Sequence, residues 1–268
     1  MTAERLVKYR FVFVANAVCL SDAQCSMLAK YVEDGGMVLA THLTSVADEF
    51  GRLHANYGLA DLFGSTLKTP EPVEIPDLYL RLLPSRQLIP QDPQVMLFEA
   101  MPEAEVLAET YDRGHRRTLG PAIVMRREGK GRAIYIGSGL EAVYAETLNE
   151  SLRTYFRSLL DPILGMMRNY EVDYRPGLSS QFASSPDVLL LHLFANTGNI
   201  WKKLLVQESF LPIKNVRARL RLPQGRTAKL ASLLWSGVAP SWNVRNGWVE
   251  LTIPQVHPYE IVRVDLHP

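Results

Sequence analysis

Between residues 11 and 41 the chain reads strand, helix, strand, and that order dictates the kind of sheet it must build. Phe11-Val-Phe-Val-Ala15 is short, fully apolar and partly β-branched, the pattern of a strand buried on both faces. Ser21 then offers an N-cap oxygen, with Gln24 three residues later, as a capping box requires. Cys25, Leu28, Ala29 and Val32 follow at helical spacing and form one apolar stripe. Gly35-Gly36 ends the helix, because glycine accepts the left-handed C-terminal conformation cheaply. Met37-Val-Leu-Ala-Thr41 is the next buried strand. Two strands joined by a helix must lie parallel, with a right-handed crossover.

Only one such crossover is visible before the pattern changes, so the parallel sheet reads as incomplete at its N-terminal side. Leu59, Leu62 and Phe63 mark a short helix. Residues 66–102 hold seven prolines, from Pro70 to Pro102, which predicts an irregular insertion with short edge strands. Arg113-Gly-His-Arg-Arg117 reads as a solvated hairpin turn. Ala122-Ile-Val-Met125 and Arg132-Ala-Ile-Tyr-Ile136 flank Glu128-Gly-Lys-Gly131 as a second hairpin. A helix over residues 142–160 presents Leu148, Leu152, Tyr155, Phe156 and Leu159 on one face, closed by Asp161-Pro162.

After about Met167 the period becomes two. Residues 188–194, 216–222, 248–253 and 260–266 read as strands, with weaker candidates at 171–174, 204–206 and 229–235. Turn signals separate them at Asn196-Thr-Gly-Asn199, Pro223-Gln-Gly225 and Asn246-Gly247. About seven strands at this spacing predict an antiparallel β-sandwich. The expected architecture is therefore an α/β domain over residues 1–166 and a β-sandwich over 167–268; a length of 268 residues suits two domains.

Charge narrows the partners. With 29 basic against 28 acidic residues the net charge is +1, so no global field draws in nucleic acid or an anionic membrane surface. No apolar run reaches the ~18 residues of a membrane-spanning helix. The first ten residues lack a signal-peptide core, so the chain as written reads as cytoplasmic. Cys19 and Cys25 are the two cysteines, too few for a disulfide framework.

Leu6-Val-Lys-Tyr-Arg-Phe-Val-Phe-Val-Ala15, Leu20-Ser-Asp22 and Leu28-Ala-Lys-Tyr-Val-Glu-Asp-Gly-Gly36 together resemble the middle domain of family 42 β-galactosidases and related hypothetical glycosyl hydrolases. Thr44-Ser-Val-Ala-Asp-Glu-Phe-Gly51, Tyr57-Gly-Leu-Ala-Asp-Leu-Phe-Gly64 and Gly129-Lys-Gly-Arg-Ala-Ile-Tyr-Ile-Gly137 extend the resemblance in order. It implies a β-galactosidase trimerisation domain, with a flavodoxin-like, class I glutamine amidotransferase-like fold, followed by a small β-domain. In that family a catalytic (β/α)8 barrel comes first and carries the two catalytic carboxylates. The region here that matches holds neither, so no catalytic residue is carried over.

A glutaminase needs a nucleophilic cysteine on a tight elbow with a base nearby. Cys19 lies between a strand and a helix, and His42 ends the next strand; but Val18 and Leu20 flank the thiol where an elbow wants glycine. Asp48 and Glu49 follow the C-terminal end of a strand, where open α/β sheets place ligands. Adjacent carboxylates do not converge on one bond as a glycosidase pair must, so a polar contact loop is the plainer reading. Gly137-Ser-Gly139 faintly echoes a phosphate-binding turn, without the third glycine. His115, His192 and His257 stand apart from cysteines and from one another, which gives no metal motif, and no cofactor is expected.

In the sandwich, alternation puts Val249, Leu251 and Ile253 inward and Trp248 outward beside Glu250 and Thr252, with Trp242 in a nearby loop. Exposed aromatics stack on sugars or anchor interfaces. The leading expectation is thus a non-catalytic assembly region of a glycoside-hydrolase-like protein, acting through a homo-oligomer or an N-terminal barrel domain. The alternatives are a carbohydrate-binding module using Trp242 and Trp248, and an amidotransferase-like hydrolase using Cys19.

Overall fold

Met37–Thr41, four apolar residues and a threonine, are all buried, and the first sheet is arranged around them. The computed structural model describes residues 2–147, 150–164, 168–173, 175, 177–197, 200–201, 206–207 and 211–267. The chain forms two compact units, Met1–Leu159 and Leu160–Pro268. Leu148, Tyr174, Gly198, Asn199 and Leu204, which entered the sequence reading, lie outside the described residues.

The first unit holds a seven-stranded mixed sheet in the order Phe11–Val14, Met37–Thr41, Gly131–Ile136, Arg117–Glu128, Ala104–Asp112, Leu78–Leu82, Leu88–Pro90. Pairing is parallel across the first three strands, with Phe11 opposite Met37 and Arg132 opposite Met37 on the other side. The remaining pairs are antiparallel. Phe11–Val14 is an edge strand, and Phe13 is 44% exposed, so the expectation that it is buried on both faces does not hold. Apolar composition reports that a strand packs; it does not report whether a further strand lies beside it.

The Asp22–Glu33 helix carries the full capping box, Gln24 N–H donating to Ser21 Oγ and Ser21 N–H to Gln24 Oε1. Cys25, Leu28 and Val32 are buried as read, joined by Tyr31, whose hydroxyl donates to the Tyr9 carbonyl at 2.8 Å. The helix end rests directly on the Glu128–Gly131 turn. Lys130 N–H donates to the Glu33 carbonyl at 2.9 Å, and a Cβ on Gly131 would sit 2.1 Å from the carbonyl oxygens of Val32 and Gly36. Glycine is required there by contact with two backbones.

The proline-rich stretch forms six short strands, two of which extend the main sheet at its far edge. Of the helix expected over 142–160, the described residues form Leu140–Thr147 and Glu150–Leu164, and the helical conformation continues through Asp161-Pro162. Leu152 and Tyr155 are buried there.

In the second unit two four-stranded antiparallel sheets share one core. One runs Tyr170–Val172, Ile213–Arg221, Trp248–Val256, Ser241–Arg245; the other runs Leu178–Ser184, Val188–Ala195, Tyr259–His267, Thr227–Leu233. Val249, Leu251 and Ile253 face inward as alternation requires. Leu178–Ser184 and Ser241–Arg245 escaped the sequence reading, being short of apolar alternation.

Candidate functional site

Open α/β sheets bind ligands beyond the C-terminal ends of their parallel strands, and Thr41, His42 and Ser138 occupy that position here. The chain leaves the first two strands through Asn16 (φ 47°) and His42 (φ 50°), with Ser45 (φ 61°) close behind. Such left-handed backbone in residues other than glycine needs support, and side chains supply it. Thr41 Oγ1 accepts from Asn16 N–H at 3.0 Å and donates to Glu141 Oε1 at 2.7 Å. Asn16 Oδ1 accepts from Leu43 N–H, and Ser45 Oγ from Leu59 N–H, both at 3.1 Å. Thr44 Oγ1 accepts from Ala17 N–H and donates to the Thr41 carbonyl at 2.7 Å. Beneath them Tyr135, fully buried, donates to the His42 carbonyl at 2.6 Å.

The proline-rich insertion packs against the end of the Gly131–Ile136 strand. Met96 N–H donates to the Gly137 carbonyl at 2.7 Å, Val95 bridges to Ser138, and Ser138 Oγ meets Gln91 Oε1 at 3.3 Å. A Cβ on Gly137 would lie 2.8 Å from the Phe98 ring, so packing explains this glycine. Gly137-Ser-Gly139 is a strand–helix turn whose last carbonyl accepts from Ala142 and Val143 N–H.

His42 is 7% exposed; burial lowers its pKa below the usual value, while the charges of Asp92 and Glu141 pull it back up. His42 Nε2 and Glu141 Oε2 are buried and have no hydrogen-bond partner among the described residues. Cys19 is exposed in the loop before the helix, beside Ala47. Among the described residues no hydrogen bond joins it to His42 or to any other base. Cys25 is a buried thiol whose pKa is pushed up to about 11 by burial and then by Asp22. Asp48 turns inward on its own loop: its Oδ1 accepts from Phe50 and Arg52 N–H, both at 2.9 Å, and these bonds hold its carboxyl below the usual range. Glu49 is exposed, and next to it Phe50 is 76% exposed and Leu53 56%. Among the described residues no three His, Cys, Asp or Glu side chains gather to hold a metal. Among the described residues no helix is long and apolar enough to cross a membrane.

In the sandwich, Trp248 stands on the outer face between Arg219 and Arg221, each guanidinium 4.9 Å from its ring centroid. Trp242 lies in the Ser241–Arg245 strand rather than a loop, half-buried against the core. Among the indoles whose exposure is described, Trp235 is the most open, at 64%. It belongs to the turn after Thr227–Leu233, where the sequence reading had continued the strand; Ser236-Gly237 and Pro240 were the available turn signal.

The sequence pattern of the beta-galactosidase trimerisation domain matches residues 1–157. The chain belongs to this family. Among curated proteins, none matches it in sequence. Solved structures resemble this trimerisation-domain chain in fold. They include the alpha-L-fucosidase isoenzyme 2 from Paenibacillus thiaminolyticus, at TM-score 0.72 and 17% identity over 97% of this chain and 41% of that one. A GH42 beta-galactosidase catalytic mutant from G. stearothermophilus aligns at TM-score 0.65 and 17% identity, over 96% of this chain and 32% of its own. The beta-galactosidase from Rahnella sp. R3 aligns at TM-score 0.63 and 14% identity, over 95% and 32%. The chain thus spans about two fifths or less of each of these proteins.

Proposed function

We propose that this chain serves in subunit assembly of a glycoside-hydrolase-like protein and has no catalytic role of its own. Residues 1–166 form an amidotransferase-like contact domain, and residues 167–268 pack as an accessory sandwich. Membership of the trimerisation-domain family over residues 1–157 is the observation that carries this reading. In it, glycosidase chemistry belongs to a barrel outside these residues.

Two local features support it. At the end of Gly131–Ile136, Met96 N–H and Gln91 occupy the Gly137 carbonyl and the Ser138 hydroxyl, groups a ligand entering there would use. Phe50 and Leu53 project from a loop that Asp48 holds by two hydrogen bonds, with Arg52 stacked 5.6 Å over the Phe50 ring. Large apolar groups on a loop already ordered lose little freedom on binding, which is what an interface anchor needs. Burying each against a second copy contributes about 1.5–3 kcal/mol.

Light scattering after size exclusion is the test. A homo-oligomer, a trimer in the family's manner, is expected at micromolar concentration. The double variant Phe50→Asp, Leu53→Asp should fall to a smaller mass with an unchanged circular dichroism spectrum. A monomeric wild type, or a variant of undiminished mass, overturns the proposal.

A further inference from the structure

The outer face of the second sandwich sheet carries an aromatic cluster that assembly through the first domain does not use. Phe194 and Tyr259 are register partners on adjacent strands, their ring centroids 4.7 Å apart. Trp235 meets Tyr259 edge-on at 5.9 Å, and the Tyr259 hydroxyl is hydrogen-bonded to His192 Nδ1. The turn bearing Trp235 is fixed from below. The Glu260 carboxylate, in a residue 1% exposed, accepts from the N–H groups of Trp235 (2.9 Å), Ser236 (3.2 Å) and Ile261 (2.8 Å). A buried carboxylate is tolerated only when its oxygens are satisfied in this way. Its effect here is to hold an open indole in one place.

Beside that indole lies a cleft of about 290 Å³. Trp235, Tyr259 and Val238 give it apolar walls; Ser236, Gln255 and His257 give it hydrogen-bonding groups. The lining decides which ligand fits. It includes no lysine or arginine, so a phosphate, sulfate or carboxylate finds no counter-charge. Glu260 already uses three of its roughly four lone-pair sites, which leaves little for a cation. A wholly apolar ligand would strand the Ser236 hydroxyl and the Gln255 amide. A neutral ring with a C–H face and several hydroxyls satisfies both walls, and the volume is at the small end of ligand sites, suited to one pyranose.

We propose that this cleft is a saccharide-binding site, with Trp235 as the stacking platform and Ser236 and Gln255 bonding the hydroxyls. The full chain should be titrated with methyl β-D-galactopyranoside, lactose, cellobiose, xylobiose and chitobiose by calorimetry and saturation-transfer NMR. At least one should bind with a millimolar Kd. Trp235→Ala should weaken that binding about tenfold or more, Gln255→Ala by a smaller factor, and Trp248→Ala not at all. Because the Trp235 side chain is mostly exposed, its variant should keep the wild-type melting temperature. Absence of binding across the panel, wild-type affinity in Trp235→Ala, or a change in oligomeric mass with that variant would each overturn the assignment.

Discussion

Replacing Tyr135 by phenylalanine removes one oxygen from the centre of the first unit and leaves its packing in place. The ring is fully buried, with centroids of Tyr57 and Phe63 at 5.0 Å and of Phe98 at 5.2 Å. Burial raises its hydroxyl pKa well above the usual value, so the group is a neutral donor. Its partner is the His42 carbonyl at 2.6 Å, and that carbonyl belongs to a residue held at φ 50°. Tyr135→Phe strands this acceptor, at a cost of about 1–3 kcal/mol. Tyr135→Leu also loses three ring contacts and opens a cavity, for about 3–5 kcal/mol. In a unit of this size each kcal/mol moves the melting temperature by about 2–4 °C.

The chain offers separate probes for its two units. Trp201, Trp235, Trp242 and Trp248 are its four tryptophans and all lie in the second unit, whereas the helical circular dichroism signal comes mostly from the first. Tyr135→Phe should lower the dichroism midpoint. A dichroism shift equivalent to less than about 0.5 kcal/mol would refute the accounting for the His42 carbonyl.

Three further outcomes are expected. A disulfide thiol reagent at mildly alkaline pH should label exposed Cys19 quickly and Cys25, whose pKa is about 11, only on unfolding; fast labelling of both would refute its burial. Burial lowers His42 below 6.5 against the opposing pull of Asp92 and Glu141, so its contribution to stability is full above about pH 6.5 and declines as pH falls towards the folded value. His42→Asn, which tolerates the same backbone, should flatten that slope in denaturant titrations, and an unchanged slope would assign it to other groups. Gly131→Ala, forced against two backbone carbonyls, should cost at least about 1–3 kcal/mol. Gly114→Ala, which meets only Asp112 Oδ1 at 3.5 Å, should stay within about 0.5 kcal/mol; similar denaturation midpoints for the two variants would contradict the contact argument.

The parts of the fold that were legible are those in which a local rule acts alone. Ser21 and Gln24 announce a capped helix, the run Met37–Thr41 announces a central strand, and Val249, Leu251 and Ile253 announce an inward face. What escaped depends on neighbours distant in sequence. Phe11–Val14 looks as apolar as a central strand, yet lies at an edge. The sandwich aromatics show the same limit at the site. Alternation placed Trp248 outward correctly, but two arginines from the neighbouring strand cover it. Trp235 was absorbed into a strand that ends two residues earlier, since the carboxylate fixing its turn lies 25 residues further on.

The position of Met37–Thr41 also constrains how the first unit comes into being. Its neighbour on one side is made just before it, but its other neighbour, Gly131–Ile136, follows far later; the Tyr135 hydroxyl and the His42 carbonyl are 93 residues apart. At ordinary synthesis rates the ribosome needs about 5–20 s to cover that distance. For that interval one flank of a buried, largely apolar strand has no native partner. The Glu128–Gly131 hairpin therefore acts as the latch of the unit, and a nascent chain released before it should be captured by chaperones rather than fold.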